Sequence, residues 1–208
     1  GGGVDLLQPT ERVAEPFDAL GPRRLDAAGR SHLLIGDPEQ RQHIARTRPG
    51  ERAAGRGIAF CRYENDAAYA AVVAEVEVER ASGKVRVTGL YAAHDCGLII
   101  NPDGVRNQIE GCLIQGLSRA LFEEVALNRG GVTGLDWTGY PIARFEDIPA
   151  RLEVELINRT DQPSVGAGEG ATCPLAAAIA NAIYDATGAR LRQYPFTPQR
   201  VKAALASA

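Results

Sequence analysis

The chain has 208 residues, 45% of them hydrophobic, and a formal net charge of -3. This length and apolar content are enough to bury a core, while the slightly acidic balance gives no electrostatic reason to expect nucleic acid or an anionic membrane surface as a partner. Polar residues interrupt every apolar run well before 18 positions, so the sequence predicts no membrane span.

The N-terminal segment, residues 1–56, is divided by proline and glycine into short stretches rich in charge. This composition predicts irregular or extended structure with one short helix at about residues 38–47. The first residues show no basic region followed by an apolar one, which favours a cytoplasmic location; periplasmic export beside a partner that carries the signal is the alternative.

The four cysteines are widely separated, at Cys61, Cys96, Cys112 and Cys173. They form no C-x-x-C pair, and no histidine stands at zinc-ligand spacing from them. We therefore expect buried free thiols, and we expect no metal to be ligated by side chains of this chain.

Residues 57–95 have the patterns of β-strands. Glutamate alternates with valine in residues 75–79, which is the period of a half-buried strand. A turn at residues 81–84 leads into a second alternating run, residues 85–95, as in an antiparallel hairpin or meander. Residues 151–159 alternate again and predict a further strand.

The first long helix is predicted at Pro102–Val125, with Asn101 as its N-cap and a proline in its first turn. Apolar residues at steps of three and four give this helix one buried stripe. Two glutamines and two glycines interrupt the stripe: Gln108, Gly111, Gln115 and Gly116. They indicate either close contact with another backbone or a polar ligand, or a helix crossing through small residues with the glutamines at its rim.

Residues 136–145, which follow this helix, hold the only tryptophan and two further aromatic residues. Such a segment forms either a pocket wall or a small satellite core. We expect the satellite core, because large aromatic side chains are mostly buried.

A glycine-rich turn precedes the second long helix. Glu169 is flanked at alternate positions by Gly166, Gly168 and Gly170, which predicts unusual backbone dihedrals or a group that approaches the backbone closely. The helix is predicted to begin with Thr172 as its N-cap. Backbone N–H groups and the helix dipole meet at this end, so the turn can hold an anion or a polar cofactor; a solvated glutamate on an ordinary turn is the alternative.

Together these patterns predict an α+β fold for residues 57–208, with a mostly antiparallel sheet and two main helices at residues 102–125 and 172–187. A loop and a short helix capped by Thr197 are predicted to follow the second main helix.

The chain resembles the C-terminal part of the molybdenum-binding subunit of the xanthine dehydrogenase and aldehyde oxidase family. The likeness runs from about Gly55 to Val201, and it is strongest to the bacterial branch that includes isoquinoline 1-oxidoreductase and nicotinate dehydrogenase. Four segments carry it in order: A-H-D-C-G-L-I-I-N-P-D-G-V-R-N-Q-I-E-G-C-L-I-Q-G-L-S, Y-P-I-A-R-F-E-D-I-P, P-S-V-G-A-G-E-G and A-A-A-I-A-N-A-I-Y-D-A-T-G-A-R-L-R-Q-Y-P-F-T-P-Q-R-V.

The resemblance implies a molybdopterin-dependent oxidoreductase, a hydroxylase that uses water to oxidise an N-heteroaromatic or aldehyde substrate. It implies a molybdenum-molybdopterin cofactor, in the cytosine dinucleotide form or as plain molybdopterin. Glu169 falls on the glutamate that acts as general base in this family. Gln108 matches the glutamine whose amide approaches the molybdenum ligands, and we assign Gln115, in the same motif, to packing. The family backbone that passes the cofactor matches Gly166, Ala167 and Gly168.

The resemblance also implies partners, because the upstream cofactor loops of a complete molybdenum subunit have no match here. We expect the remainder of that subunit, an iron–sulfur subunit, and a flavin or cytochrome subunit. Iron–sulfur clusters and FAD would reside on those chains, since no four-cysteine cluster pattern occurs in this one. Residues 1–37 look faintly like the G-G-T-D-L-L region of the flavin subunit, with Val4 in place of Thr, so we consider a flavin-subunit-like remnant within residues 1–56.

Two alternatives remain open from the sequence. One is a non-catalytic assembly module or remnant that keeps the fold and the partner contacts but binds no cofactor. The other is an unrelated anion-binding α+β protein, in which Gln108 and Glu169 would lie far apart.

Overall fold

A computed structural model describes residues 52–64 and 68–207. These residues form a four-stranded sheet in the order β1-β2-β3-β6 and a two-stranded hairpin, β4-β5. The strands are β1 Arg52–Tyr63, β2 Ala68–Glu79, β3 Val85–Asp95, β4 Leu127–Asn128, β5 Gly131–Val132 and β6 Arg151–Ile157. The helices are α1 Pro102–Leu121, α2 Leu175–Thr187 and α3 Pro198–Leu205. The α+β prediction is therefore confirmed.

The first three strands form the predicted meander. β1 pairs antiparallel with β2 from Arg52↔Glu79 to Tyr63↔Ala68, and β2 pairs antiparallel with β3. Gly83, with a φ of 79°, supplies the left-handed residue of the turn between β2 and β3. β1 begins at Arg52, before the predicted domain boundary at Gly57.

The last strand of the main sheet, β6, runs parallel to β3, with Gly89 opposite Arg151 and Asp95 opposite Ile157. The sheet is therefore antiparallel in its first two pairs and parallel in the third. The chain crosses over through α1 between β3 and β6, and such a crossover is what a parallel pair requires. An alternating sequence pattern predicts a strand but carries no information on the direction of its neighbour.

The two main helices differ from their predicted bounds at one end each. The Asn101 side chain caps α1 by accepting a hydrogen bond from the Gly104 N–H at 3.1 Å, and α1 ends at Leu121 rather than Val125. Thr172 does not cap α2, which begins at Leu175. It lies in a short 3-10 turn, Gly170–Thr172, and its hydroxyl donates to the Cys112 carbonyl of α1 at 3.4 Å.

The alanine-rich helix α2 lies directly on β1. A Cβ atom added at Gly55 would come within 2.3 Å of the Ala182 carbonyl oxygen, and one added at Gly57 within 2.2 Å of the Ala182 nitrogen. These glycines therefore allow the helix backbone to contact the strand backbone. Gly116 similarly brings α1 against the start of α2, since a Cβ there would lie 2.8 Å from Leu175 Cδ2. This packing places the glycine turn before α2 between α1 and the end of β1.

A buried carboxylate joins the four strands of the main sheet. Glu75 on β2 is 1% exposed and forms ion pairs with Arg56 on β1 and, at 2.6 Å, with Arg151 on β6. The hydroxyl of Tyr91 on β3 donates to the same carboxylate at 3.3 Å. Burial of this charge is tolerated because cationic and hydrogen-bonding partners surround it.

Two burial predictions were wrong. The aromatic segment after α1 forms no satellite core, because Trp137 is 74% exposed and Phe145 is 99% exposed. The cysteines are free thiols, as predicted, but Cys61 is only half-buried and Cys173 is exposed. Aromatic residues and cysteines are often buried, but the residue type does not decide the burial of any one position.

The predicted helix at residues 38–47 lies outside the described residues. So does the segment considered as a flavin-subunit-like remnant, residues 1–56, except for residues 52–56 at the start of β1. None of the helices in the described part of the chain combines the length and apolar character that crossing a bilayer requires.

Candidate functional site

A cleft of about 680 Å³ lies between α1 and the glycine turn. It brings Gln108 and Glu169 together, as the family resemblance predicts and as the unrelated anion-binding alternative does not. The cleft is lined by Tyr63, Asn107, Gln108, Gly111, Cys112, Gln115, Gly168 and Glu169.

One face of α1 forms a wall of this cleft. Gln108, Gly111, Cys112 and Gln115 are spaced at three or four residues, so they lie on the same side of the helix. The Gln108 side-chain amide donates to the Cys112 sulfur at 3.7 Å. Gln115 is exposed and lines the cleft, so its assignment to packing was wrong. Its position two helical turns after Gln108 places it on the same face.

The opposite wall is the glycine turn, in which the unusual backbone conformation belongs to Glu169 itself. Glu169 has a φ of 43° and a ψ of -3°, whereas Gly166, Gly168 and Gly170 have no positive φ. A left-handed non-glycine residue costs about 1–3 kcal/mol and persists where its surroundings hold it, often at functional sites. Here the Gly170 N–H donates to the Gly168 carbonyl at 2.7 Å, and the Thr172 N–H donates to the Glu169 carbonyl at 2.9 Å.

The Glu169 side chain does not cap the 3-10 turn that follows it. Its Oε1 accepts a hydrogen bond of 2.9 Å from the Tyr63 hydroxyl at the end of β1. This bond is the largest cause that raises the pKa of Tyr63, which reaches about 12. Glu169 is exposed, so the described part of the chain does not shield its carboxylate from water.

Neutral side chains lie beneath the turn. The Cys61 thiol donates to the Gly170 carbonyl at 3.4 Å, and burial, followed by the nearby Cys173, raises the pKa of Cys61 to about 11. His94 is fully buried next to Gly170, and burial lowers its pKa. Its two ring nitrogens have no hydrogen-bond partner among the described residues. Both groups are therefore uncharged at neutral pH.

Two of the predicted site residues lie outside the cleft. Ala167 is half-buried and packs against a small apolar cluster of Ala68, Cys96 and Ile99. Gly166 is exposed and does not line the cleft.

Several glycines in this region have no reason within the described chain to be glycine. A Cβ added at Gly111, Gly166 or Gly168 would meet no atom of the described residues within 4 Å, and none of the three has a positive φ. Gly111 also lies inside a helix, where glycine is unfavourable. The space beside Gly111 and Gly168, the two that line the cleft, thus fits a group that is not part of the chain. The polar groups around it, two glutamine amides, an asparagine and a phenol, suit a polar cofactor.

Three cleft residues, Tyr63, Asn107 and Cys112, were not predicted from the sequence. The last two could have been found from helix spacing, since Asn107 precedes Gly111 by four residues and Cys112 follows Gln108 by four. Tyr63 lacked a comparable signal, because its position beside Glu169 depends on how β1 packs beneath the turn. Within the described ranges, no group of three or more His, Cys, Asp or Glu side chains could hold a metal ion.

Residues 37–149 match a family model described as a molybdopterin cofactor-binding domain. The chain is 43% identical over 196 residues to a nicotinate dehydrogenase subunit of Pseudomonas putida, a match that covers 88% of this chain and 16% of that protein. It is 36% identical over 142 residues to the beta subunit of isoquinoline 1-oxidoreductase from Brevundimonas diminuta, covering 68% of this chain and 18% of that protein.

Among solved structures, the chain is similar to quinoline 2-oxidoreductase from Pseudomonas putida 86, with a TM-score of 0.62 and 28% identity. That match covers 67% of this chain and 19% of the other. The chain thus spans less than a fifth of the length of these relatives. The nicotinate dehydrogenase match covers enough of the chain to include both Gln108 and Glu169 and to reach into residues 1–37.

Proposed function

This chain belongs to the family of molybdopterin cofactor-binding domains, and from that premise we propose that it is the C-terminal part of the molybdenum-binding subunit of a hydroxylase. The reaction would be the oxidative hydroxylation of an N-heteroaromatic substrate, with water as the source of oxygen. The observation that carries the proposal is the shared cleft of Gln108 and Glu169, in a chain from this family.

The cleft fits the cofactor on two grounds. Gly111 and Gly168 leave open space on opposite walls, and the side-chain amides of Gln108 and Gln115 can hydrogen-bond a polar ring system between those walls. When bound, the molybdenum cofactor would accept the electrons that the substrate carbon gives up on oxidation. We assign the cytosine dinucleotide form to it by analogy with the bacterial branch.

Glu169 is the proposed general base. One carboxylate oxygen, Oε1, is held by the Tyr63 hydroxyl, while Oε2 has no hydrogen-bond partner among the described residues. Oε2 is therefore the atom available to accept a proton from the oxygen that water contributes to the product. The Glu169 side chain makes no capping bond to the 3-10 turn, and the residue lines the cleft.

The substrate proposal follows the relatives, of which the nicotinate dehydrogenase and isoquinoline 1-oxidoreductase subunits carry the names of N-heterocycles. Aldehydes are the second class, since the molybdenum-binding subunit of an aldehyde oxidoreductase from Escherichia coli is 41% identical over 130 residues.

The chain would act together with other chains or segments. It spans less than a fifth of its relatives, and several large apolar side chains after α1 are exposed: Leu127 (72%), Leu135 (84%), Trp137 (74%) and Phe145 (99%). Such side chains, close together in sequence, are typical of a surface that another protein segment covers. We propose the remainder of the molybdenum subunit as that segment. An iron–sulfur subunit, with a flavin or cytochrome subunit, would carry the electrons onward.

The test is Glu169→Gln in the assembled enzyme, purified with its partner subunits and assayed with nicotinate and a dye acceptor. The amide keeps the shape of the carboxylate but cannot act as a base, so we expect kcat to fall at least about 100-fold with unchanged pterin and molybdenum content. Glu155→Gln, at an exposed glutamate on β6, is the matched control and should retain activity. Undiminished turnover by Glu169→Gln would refute the proposed role.

The non-catalytic assembly module is the second candidate, favoured by the exposed apolar side chains after α1, which contact with a partner segment would explain without any cofactor. Denaturation of the assembled complex and assay of released pterin and molybdenum separates the two candidates. A complex that contains neither would support the module and refute the enzyme.

A further inference from the structure

Tyr63 contacts the glycine turn at two points. Its hydroxyl donates to Glu169 Oε1 at 2.9 Å, and its Cβ and Cγ atoms lie 3.6 Å from the position that a Cβ on Gly170 would occupy. It is the last residue of β1, and its backbone is paired with Ala68 at the start of β2. The side chain thus extends from the sheet to the turn and also lines the cleft.

Glu169 needs such a contact if its carboxylate is to stay in one place. Its backbone is in the left-handed region, its side chain makes no capping bond, and it is exposed. An exposed glutamate samples several rotamers, and ordering it costs entropy that a partner must offset. Among the described residues, the Tyr63 hydroxyl is the only hydrogen-bond partner of the Glu169 carboxylate.

We propose that Tyr63 is a positioning residue for Glu169: its hydroxyl holds Oε1 and so keeps Oε2 directed into the cleft. The inference rests on the proposed function, in which Glu169 is the base. It predicts that the Tyr63 hydroxyl affects the chemical step and leaves substrate binding nearly unchanged, because Tyr63 acts through the base.

The first test observes the bond without any cofactor. Tyrosine labelled with ¹³C at Cζ is incorporated into the chain, and the Tyr63 resonance is assigned by its absence in Tyr63→Phe. The bond to Glu169 is the largest cause that raises the pKa of Tyr63 from 10.0 to about 12; burial is the second, and Glu64 and Cys173 contribute less. At pH 11, roughly a tenth of Tyr63 should be ionised in the wild type, and a clearly larger fraction in Glu169→Gln, which loses the largest cause of the raised pKa.

The second test measures catalysis in the assembled enzyme with nicotinate as the probe. Tyr63→Phe removes the hydroxyl and keeps the ring against Gly170. We expect kcat to fall at least about tenfold while KM stays within about twofold and cofactor content is unchanged. Tyr140→Phe is the matched control, because the Tyr140 hydroxyl donates to Glu123 Oε2 at the same distance of 2.9 Å but lies outside the cleft. It should leave kcat unchanged.

Each outcome bears on a separate claim. Equal ionisation of Tyr63 in the wild type and in Glu169→Gln would overturn the inference, as would a wild-type kcat in Tyr63→Phe. Loss of kcat in Tyr63→Phe together with the predicted titration would support it. Wild-type turnover by Glu169→Gln would instead refute the proposed function, and the titration result would stand independently of that failure.

Discussion

Gly111 offers a test in which stability and cofactor binding should change in opposite directions. The residue is exposed near the middle of α1, and an added methyl group would meet no atom of the described residues within 4 Å. Glycine inside a helix is less favourable than alanine by about 0.8–1 kcal/mol. Gly111→Ala should therefore raise the free energy of unfolding of the chain by about 1 kcal/mol and raise Tm by about 2–4 °C.

The same methyl group should weaken cofactor binding, because Gly111 lines the cleft and the methyl would occupy space that we assign to the cofactor. We expect the assembled Gly111→Ala enzyme to contain less pterin and molybdenum than the wild type. Urea denaturation of the chain measures the first effect. Assay of released pterin and molybdenum measures the second.

Gly116→Ala is the matched control on the same helix. A Cβ there would lie 2.8 Å from Leu175 Cδ2, and Leu175 is fully buried, so the surrounding core would have to shift. Overpacking of this kind costs about 1–3 kcal/mol, which offsets or exceeds the helix gain. The variant should be neutral or destabilised by up to about 2 kcal/mol.

Two results would contradict this account of Gly111. If Gly111→Ala were as destabilising as Gly116→Ala, the added methyl group would be clashing with other atoms of the chain, and the space beside Gly111 would not be open. If Gly111→Ala were stabilised and carried a full complement of pterin, that space would not belong to the cofactor.

Two further predictions concern groups inside the fold. Glu75→Ala should lower the free energy of unfolding by about 3 kcal/mol in urea denaturation, because it leaves two partly buried arginines without their shared carboxylate. Glu77→Ala on the same strand removes a 3.6 Å ion pair between the half-buried Glu77 and the exposed Arg52, and it should cost less than about 1 kcal/mol. Equal losses would contradict the role of Glu75. Burial lowers the pKa of His94 below 6.5, so the unfolded chain binds this proton more readily, and stability should fall as the pH drops below about 6.5. His94→Leu should reduce that loss, which is at most about 1.4 kcal/mol per pH unit, and an unchanged pH dependence would count against it.

The sequence by itself determined the local elements and several of their ends. Alternation in residues 75–79 and 85–95 is visible because a strand exposes successive side chains to opposite faces, and three-to-four spacing in α1 is visible because a helix repeats every 3.6 residues. Asn101 marks the beginning of α1, because its side chain accepts a hydrogen bond from the first turn. Gly188 marks the end of α2, because it adopts a left-handed φ of 80°. The segments around Gln108 and Glu169 could likewise be recognised from the sequence, because their motifs follow one another in the order that the family shows.

Only the tertiary structure decided which of these elements meet. The parallel pairing of β6 with β3, the burial of Glu75 and the exposure of Trp137 depend on what packs against each residue, and local patterns do not contain that information. The same holds for the site. Gln115 lines the cleft, whereas Ala167 packs against a small apolar cluster outside it. Tyr63 reaches Glu169 because α2 packs on the glycines of β1, which brings the glycine turn over the end of that strand. Contacts between residues far apart in sequence are created by packing, and packing exists only once the chain has folded.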